Sequence, residues 1–106
     1  MGDKEYALKF TSKSYEDIDE IYGYLALALQ AGGAAENLML KLESSIRRLK
    51  LFPQSGSPVL EEVLRRKGYR KLLVDNYIVF YLIDEEGSRV IIMRILDGAM
   101  NYQGIL

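Results

Sequence analysis

Arg70, Lys71, Arg94, Tyr81 and Tyr102 are the side chains of this chain whose types and order suit chemistry on an anion. Arginine offers a planar fork that matches phosphate or carboxylate, and lysine adds a point charge. Tyrosine adds a hydroxyl that donates or accepts. Arg65-Arg66-Lys67 lies just upstream, where an approaching nucleic acid would meet it. Each residue also has a plainer reading. Arg94 reads equally as half of a local ion pair, Arg70 and Lys71 as solvated strand charges, and Tyr81 as packing with its hydroxyl at a polar edge. The chain holds no histidine and no cysteine. The commonest general base near neutral pH and any thiolate chemistry are therefore absent. A zinc site would need carboxylates alone, so neither metal nor cofactor is expected.

The net charge of −1 is no footprint of a general nucleic-acid binder, but it conceals a pattern. Residues 1–40 carry −4, residues 41–71 carry +6 and residues 72–106 carry −3. A basic middle lies between acidic ends. No apolar run reaches the ~18 residues of a membrane helix, and Met1-Gly2-Asp3-Lys4 lacks a secretory layout. The expectation is a cytoplasmic protein without a membrane partner, formed as one domain over 1–106.

The elements that must position these side chains follow from periodicity. Residues 4–10 alternate, with Tyr6, Leu8 and Phe10 on one face of a first strand. Thr11 and Ser12 offer N-cap oxygens. Tyr15, Ile18, Tyr22, Leu25 and Leu29 then recur at helical spacing, and Gly32-Gly33 stops the helix. A second helix is expected over about 34–52, with a stripe of Leu38, Leu42, Ile46, Leu49 and Phe52. Pro53 to Pro58 is a loop by composition. The stretch 59–67 fits neither period. Strands are expected at about 69–74, 77–83 and 89–96, joined by a two-residue turn at Asp75-Asn76 and a longer loop in which Gly87 takes positive φ. In the last strand the wholly apolar side, Ile91, Met93 and Ile95, should face the helices, leaving Arg94 on an uncovered face with Arg70 and Tyr81. The fold class is α+β: a small antiparallel-meander sheet, an N-terminal strand, and an αα-hairpin on one face.

The hairpin ending in LKLFPQSGSP, then KGYRKLLVDNYIVFYLID, then VIIMRIL and a closing NYQGIL, resembles the RelE/ParE toxins of bacterial type II toxin–antitoxin systems. The likeness runs from about Tyr6 to Leu106. It implies the fold just described and a toxin neutralised by a cognate antitoxin, which wraps it with a helix and an extended segment. Operator DNA would be met only through the antitoxin complex. Some members cleave mRNA in the ribosome; others poison DNA gyrase.

Cleavage needs cations for the transition state and an acid–base pair for the 2′-hydroxyl and the leaving oxygen. Three positions depart from the pattern of cleaving relatives. Ile78 stands where they can carry arginine, Asp97 where a histidine or tyrosine is usual, and Met100 where another arginine is usual. A carboxylate repels a phosphate by ~1 kcal/mol at ~4 Å in bulk water, and by more where burial lowers the dielectric. The first expectation is therefore a toxin that keeps antitoxin binding, with weak or absent ribonuclease activity. One alternative is an active ribosome-dependent endoribonuclease using Arg70, Lys71, Arg94 and Tyr102. Another is a gyrase poison, which needs no acid–base pair. Outside the family stands an α+β binding module with no toxic role.

Overall fold

A computed structural model describes residues 4–100, 102 and 104–106. Met1–Asp3 and the Asn101 of the closing motif lie outside the described residues. The order is β1 (Ala7–Phe10), α1 (Ser12–Gly23), a π-helical turn (Tyr24–Ala28), α2 (Gly32–Arg47) and a 3-10 turn (Arg48–Lys50). Then come β2 (Ser57–Pro58), α3 (Glu62–Arg66), β3 (Arg70–Val74), β4 (Tyr77–Asp84) and β5 (Arg89–Asp97). The strands form one sheet in the order β1-β5-β4-β3-β2. β1 runs parallel to β5, and the other pairs are antiparallel. This is the α+β class expected. No described helix is long and apolar enough to cross a membrane.

α2 buries the stripe that its spacing dictates. Leu38, Leu42 and Ile46, joined by Leu49 of the 3-10 turn, form one core with Val74, Val79, Tyr81, Val90, Ile92 and Ile95 of the sheet, and Ala35 is also buried. Full burial of each large aliphatic side chain is worth about 1.5–3 kcal/mol. Phe52, expected to close that stripe, is exposed, because α2 has already given way to the 3-10 turn at Arg48. α1 departs further. Ile18, Ile21 and Leu25 pack on the core, but Tyr15 is 57% exposed, and Tyr22 and Leu29 are also turned outward.

The reason is that α1 lies along an edge of the sheet. β1 pairs with β5 only as far as Phe10↔Ile92. Beyond it, the free backbone of β5 must find other partners, since an unpaired buried N–H or C=O costs as much as a lost hydrogen bond. Thr11 Oγ1 donates to Met93 O at 2.8 Å, and Asp17 Oδ2 accepts from Ile95 N at 2.9 Å. The face of α1 that meets the sheet is thus partly polar, with Ser14 and Asp17 buried. A search for an apolar stripe slides past it. Thr11 also caps α1, its hydroxyl accepting from Ser14 N at 3.1 Å.

Two further expectations are corrected. The register of β4 and β5 shifts between Phe80, which faces Arg94, and Tyr81, which faces Ile92. Met93 is the extra residue of a β-bulge, which breaks strict alternation. Val90, Ile92 and Ile95 therefore face the helices, not the Ile91 and Met93 side. Nor is the opposite face uncovered. The stretch 59–67 folds into α3, and Val59, Leu64 and Tyr69 pack with Ile78, Phe80 and Leu96 under the tail residues Tyr102 and Leu106. Glu61 caps α3 by accepting from Val63 N and Leu64 N at 3.1 and 3.0 Å. In the β4–β5 loop it is Ser88, not Gly87, that takes positive φ. A Cβ at Gly87 would lie 2.5 Å from Asp84 Oδ2, so a larger residue there would move the Asp84 side chain.

Candidate functional site

The five side chains proposed for anion chemistry do not converge. Arg94 is held by Asp17 through two parallel bonds, Nε to Oδ2 and Nη2 to Oδ1, each 2.8 Å. The Arg94 side chain is 19% exposed and that of Asp17 6%. The Asp17 hydrogen bond holds the guanidinium even more firmly protonated than usual, against the opposing effect of burial. Of the two readings of Arg94, the geometry is that of an ion pair. With Ile95 N on the same carboxylate, it pins α1 to the β5 edge.

Arg70 sits two strands away, about 10 Å across the sheet. Its Nη2 donates to Gln54 O at 3.2 Å and to Gly56 O at 2.7 Å, while its buried Nε has no partner. Tyr81, its cross-strand neighbour, donates from its hydroxyl to Pro53 O at 2.7 Å and accepts from Gly56 N at 3.1 Å. Together they clamp loop 53–56 onto the sheet. Gly56 is obligatory there, since a Cβ would come within 2.4 Å of Lys71 O and 2.7 Å of the Tyr81 hydroxyl. Sequence reasoning placed Tyr81 at a polar edge but missed its role in this clamp, which the adjoining Phe52-Pro53 loop could have suggested.

The other candidates scatter. Lys71 is half-buried on β3 beside Ser57 of β2. Tyr102 packs on Phe80 with ring centroids 4.7 Å apart, in the second core. Arg65, Arg66 and Lys67 end α3 and its cap, all exposed, and Arg66 is paired with Glu62.

The three positions expected to depart from cleaving relatives lie near one another. Ile78 and Asp97 line one hollow of about 580 Å³ with Leu73, Asp75, Asn76, Tyr77, Gly98 and Ala99. Among the described residues no cation lines it, although Lys41 reaches Asp75 at 3.1 Å. Asp97 is exposed, and its Oδ1 accepts from Ala99 N at 2.9 Å. Met100, 45% exposed, lines an adjoining hollow that shares Tyr77 and Asp97. Burial first, then the Asp97 carboxylate and Tyr24, push the Tyr77 phenol's pKa up, so it stays protonated well past neutrality. Such a lining repels phosphate, and its only candidate bases among the described residues are carboxylates, of which Asp75 is already paired with Lys41.

A different surface lies across α1 and α2. Leu8, Phe10, Tyr15, Ile18, Met39, Leu42 and Ile46 line a mostly apolar groove of about 350 Å³, together with the Glu43–Arg47 pair. Phe10 and Tyr15 of its lining stack with ring centroids 5.3 Å apart. Its floor is β1, the outermost strand of the sheet on that side.

The sequence profile of the ParE toxin of type II toxin–antitoxin system, parDE, matches residues 8–102. The chain belongs to the ParE toxin family. It is the toxin of a type II toxin–antitoxin module. No curated protein sequence matches it. Solved structures that share its fold include the following two. A chain of the chromosomal ParDE toxin–antitoxin system from P. aeruginosa superposes with TM-score 0.71 at 22% identity, over 89% of this chain and 97% of that one. A chain of the toxin–antitoxin complex RelBE2 from Mycobacterium tuberculosis does so with TM-score 0.60 at 21% identity, over 88% and 98%. Membership accounts for the layout of this ParE-family chain.

Proposed function

We propose that this ParE-family toxin acts in the cytoplasm by gripping a protein target, DNA gyrase, rather than by cutting RNA. The carrying observation is the hollow of Ile78 and Asp97, which has a free carboxylate and no cation where RNA cleavage needs positive charge. Arg94 is committed to Asp17 and Arg70 to loop 53–56, which also favours this reading. A protein-contact mechanism requires neither residue as a catalyst. The purified toxin is expected to inhibit supercoiling and trap cleavage complexes, and to leave ribosome-bound mRNA intact. Cut mRNA at the ribosomal A site with normal supercoiling would refute the proposal.

The cognate antitoxin is proposed to occupy the groove between β1 and the α1–α2 hairpin with an apolar segment. The apolar lining supports this, together with the exposed Tyr15 ring at its mouth. Met39→Glu places a charge in that lining and should abolish rescue by the antitoxin while growth arrest persists. Full rescue of the M39E toxin would remove the groove from consideration.

A further inference from the structure

We propose that the hollow between α1, the start of β4, the end of β5 and the tail receives an arginine or lysine side chain of a partner protein. The proposal rests on the protein-contact reading above and names the chemistry of the contact. The hollow holds about 460 Å³, within the range of ligand pockets at about 300–1,000 Å³. Glu20, Tyr24, Tyr77, Asp97, Met100 and Ile105 line it. Its charges sum simply. Asp17 and Arg94 neutralise each other at 2.8 Å. Glu20 and Asp97 belong to no ion pair among the described residues, so the lining keeps two uncompensated carboxylates and no free cation.

The uncharged part of the lining narrows the ligand further. Tyr24 is 56% exposed, and Tyr77 presents a second phenol ring. The negative face of an aromatic ring attracts a guanidinium or ammonium group within about 6 Å. Met100 and Ile105, both partly exposed, offer apolar surface to an aliphatic stem. Carboxylates for the head, rings for its face and apolar walls for its stem describe a long cationic side chain. A bare metal ion would leave the apolar walls unused, and a phosphate would be repelled. Asp97 and Met100, which depart from the cleaving pattern, thus acquire one purpose: they reverse the sign of the ligand this end of the sheet accepts.

The test is an NMR titration of the intact toxin with an acetylated Leu-Arg-Leu amide, beside the same peptide carrying citrulline, the neutral isostere of arginine. The arginine peptide is expected to shift Tyr24, Tyr77 and Met100 resonances saturably, with affinity falling as salt rises. Glu20→Gln and Asp97→Asn should each weaken it about threefold, as expected for exposed ion pairs. Tyr24→Leu should weaken it by a similar factor, about threefold. Glu86→Gln, in the distant β4–β5 loop, should change nothing. Equal affinity for the citrulline peptide, unchanged binding in E20Q and D97N, or shifts confined to other residues would each overturn the proposal. Supercoiling assays test the target and the titration tests the hollow, so either proposal can fail alone.

Discussion

Two arginines, Arg94 and Arg70, looked alike as strand cations able to hold an anion, and the fold uses them in opposite ways. Arg94 meets a buried carboxylate in a two-bond fork, so its charge is cancelled where it stands. Arg70 meets only carbonyl oxygens, so its charge is solvated by dipoles and not cancelled. The first joins a helix to a sheet edge. The second, with Tyr81, fastens a loop. An arginine at a given place in a strand says little about its use until the group facing it is known.

The comparison is broken most severely at the buried pair. Asp17→Asn or Arg94→Met alone strands a charge or a donor, at a cost of about 3–5 kcal/mol. In a domain of this size, Tm falls by about 4–8 °C per kcal/mol, so each single variant should melt well over ten degrees lower. The D17N/R94M double variant should recover much of that loss, which a double-mutant cycle in urea would measure. If the losses simply add, the pair is not the unit described here.

At the clamp the effects are smaller. Gly56→Ala forces a carbon against Lys71 O and should cost about 1–3 kcal/mol by urea midpoint. Tyr81→Phe removes the hydroxyl from Pro53 O and Gly56 N and should cost about 1–3 kcal/mol. Hydrogen exchange at Gly56 should quicken in Y81F while β4 stays protected. Equal protection throughout would mean the loop is held by other contacts.

The smallest effect lies at the exposed β4–β5 loop. Gly87 N–H and Arg89 hold the Asp84 carboxyl below its ordinary value of 3.8. A depressed folded pKa adds stability that is present above the unfolded value and lost as pH falls through the folded one. Acid titration of the urea midpoint should therefore slope slightly less in Asp84→Asn below about pH 4. An identical slope would show that Asp84 is indifferent to folding.

The hairpin and the meander were legible because apolar spacing reports directly on what must be buried. Residues 35–47 of α2, and Leu49 in the 3-10 turn after it, follow it closely, and the turn at Asp75-Asn76 falls where polar turn residues interrupt two strands. The orientation of α1 was not legible. Its inward face includes Ser14 and Asp17, whose burial makes sense only beside the unpaired edge of β5. The orientation of β5 was not legible either, since one bulge at Met93 reverses the phase of the residues that follow. For the site, the departures Ile78, Asp97 and Met100 were visible in the sequence. That they border adjoining hollows empty of free cations was not.

By itself the sequence determined the family, the fold class and the chemical types at each position, because these depend on local pattern and identity, but not β2 or α3. Only the tertiary structure decided which arginine is neutralised, which loop is clamped and which carboxylates remain unpaired. Those outcomes depend on groups 14 to 78 residues apart along the chain, as in Gly56–Arg70 and Asp17–Ile95. Coulomb and hydrogen-bond energies fall off over a few ångströms of space, whatever the separation in sequence.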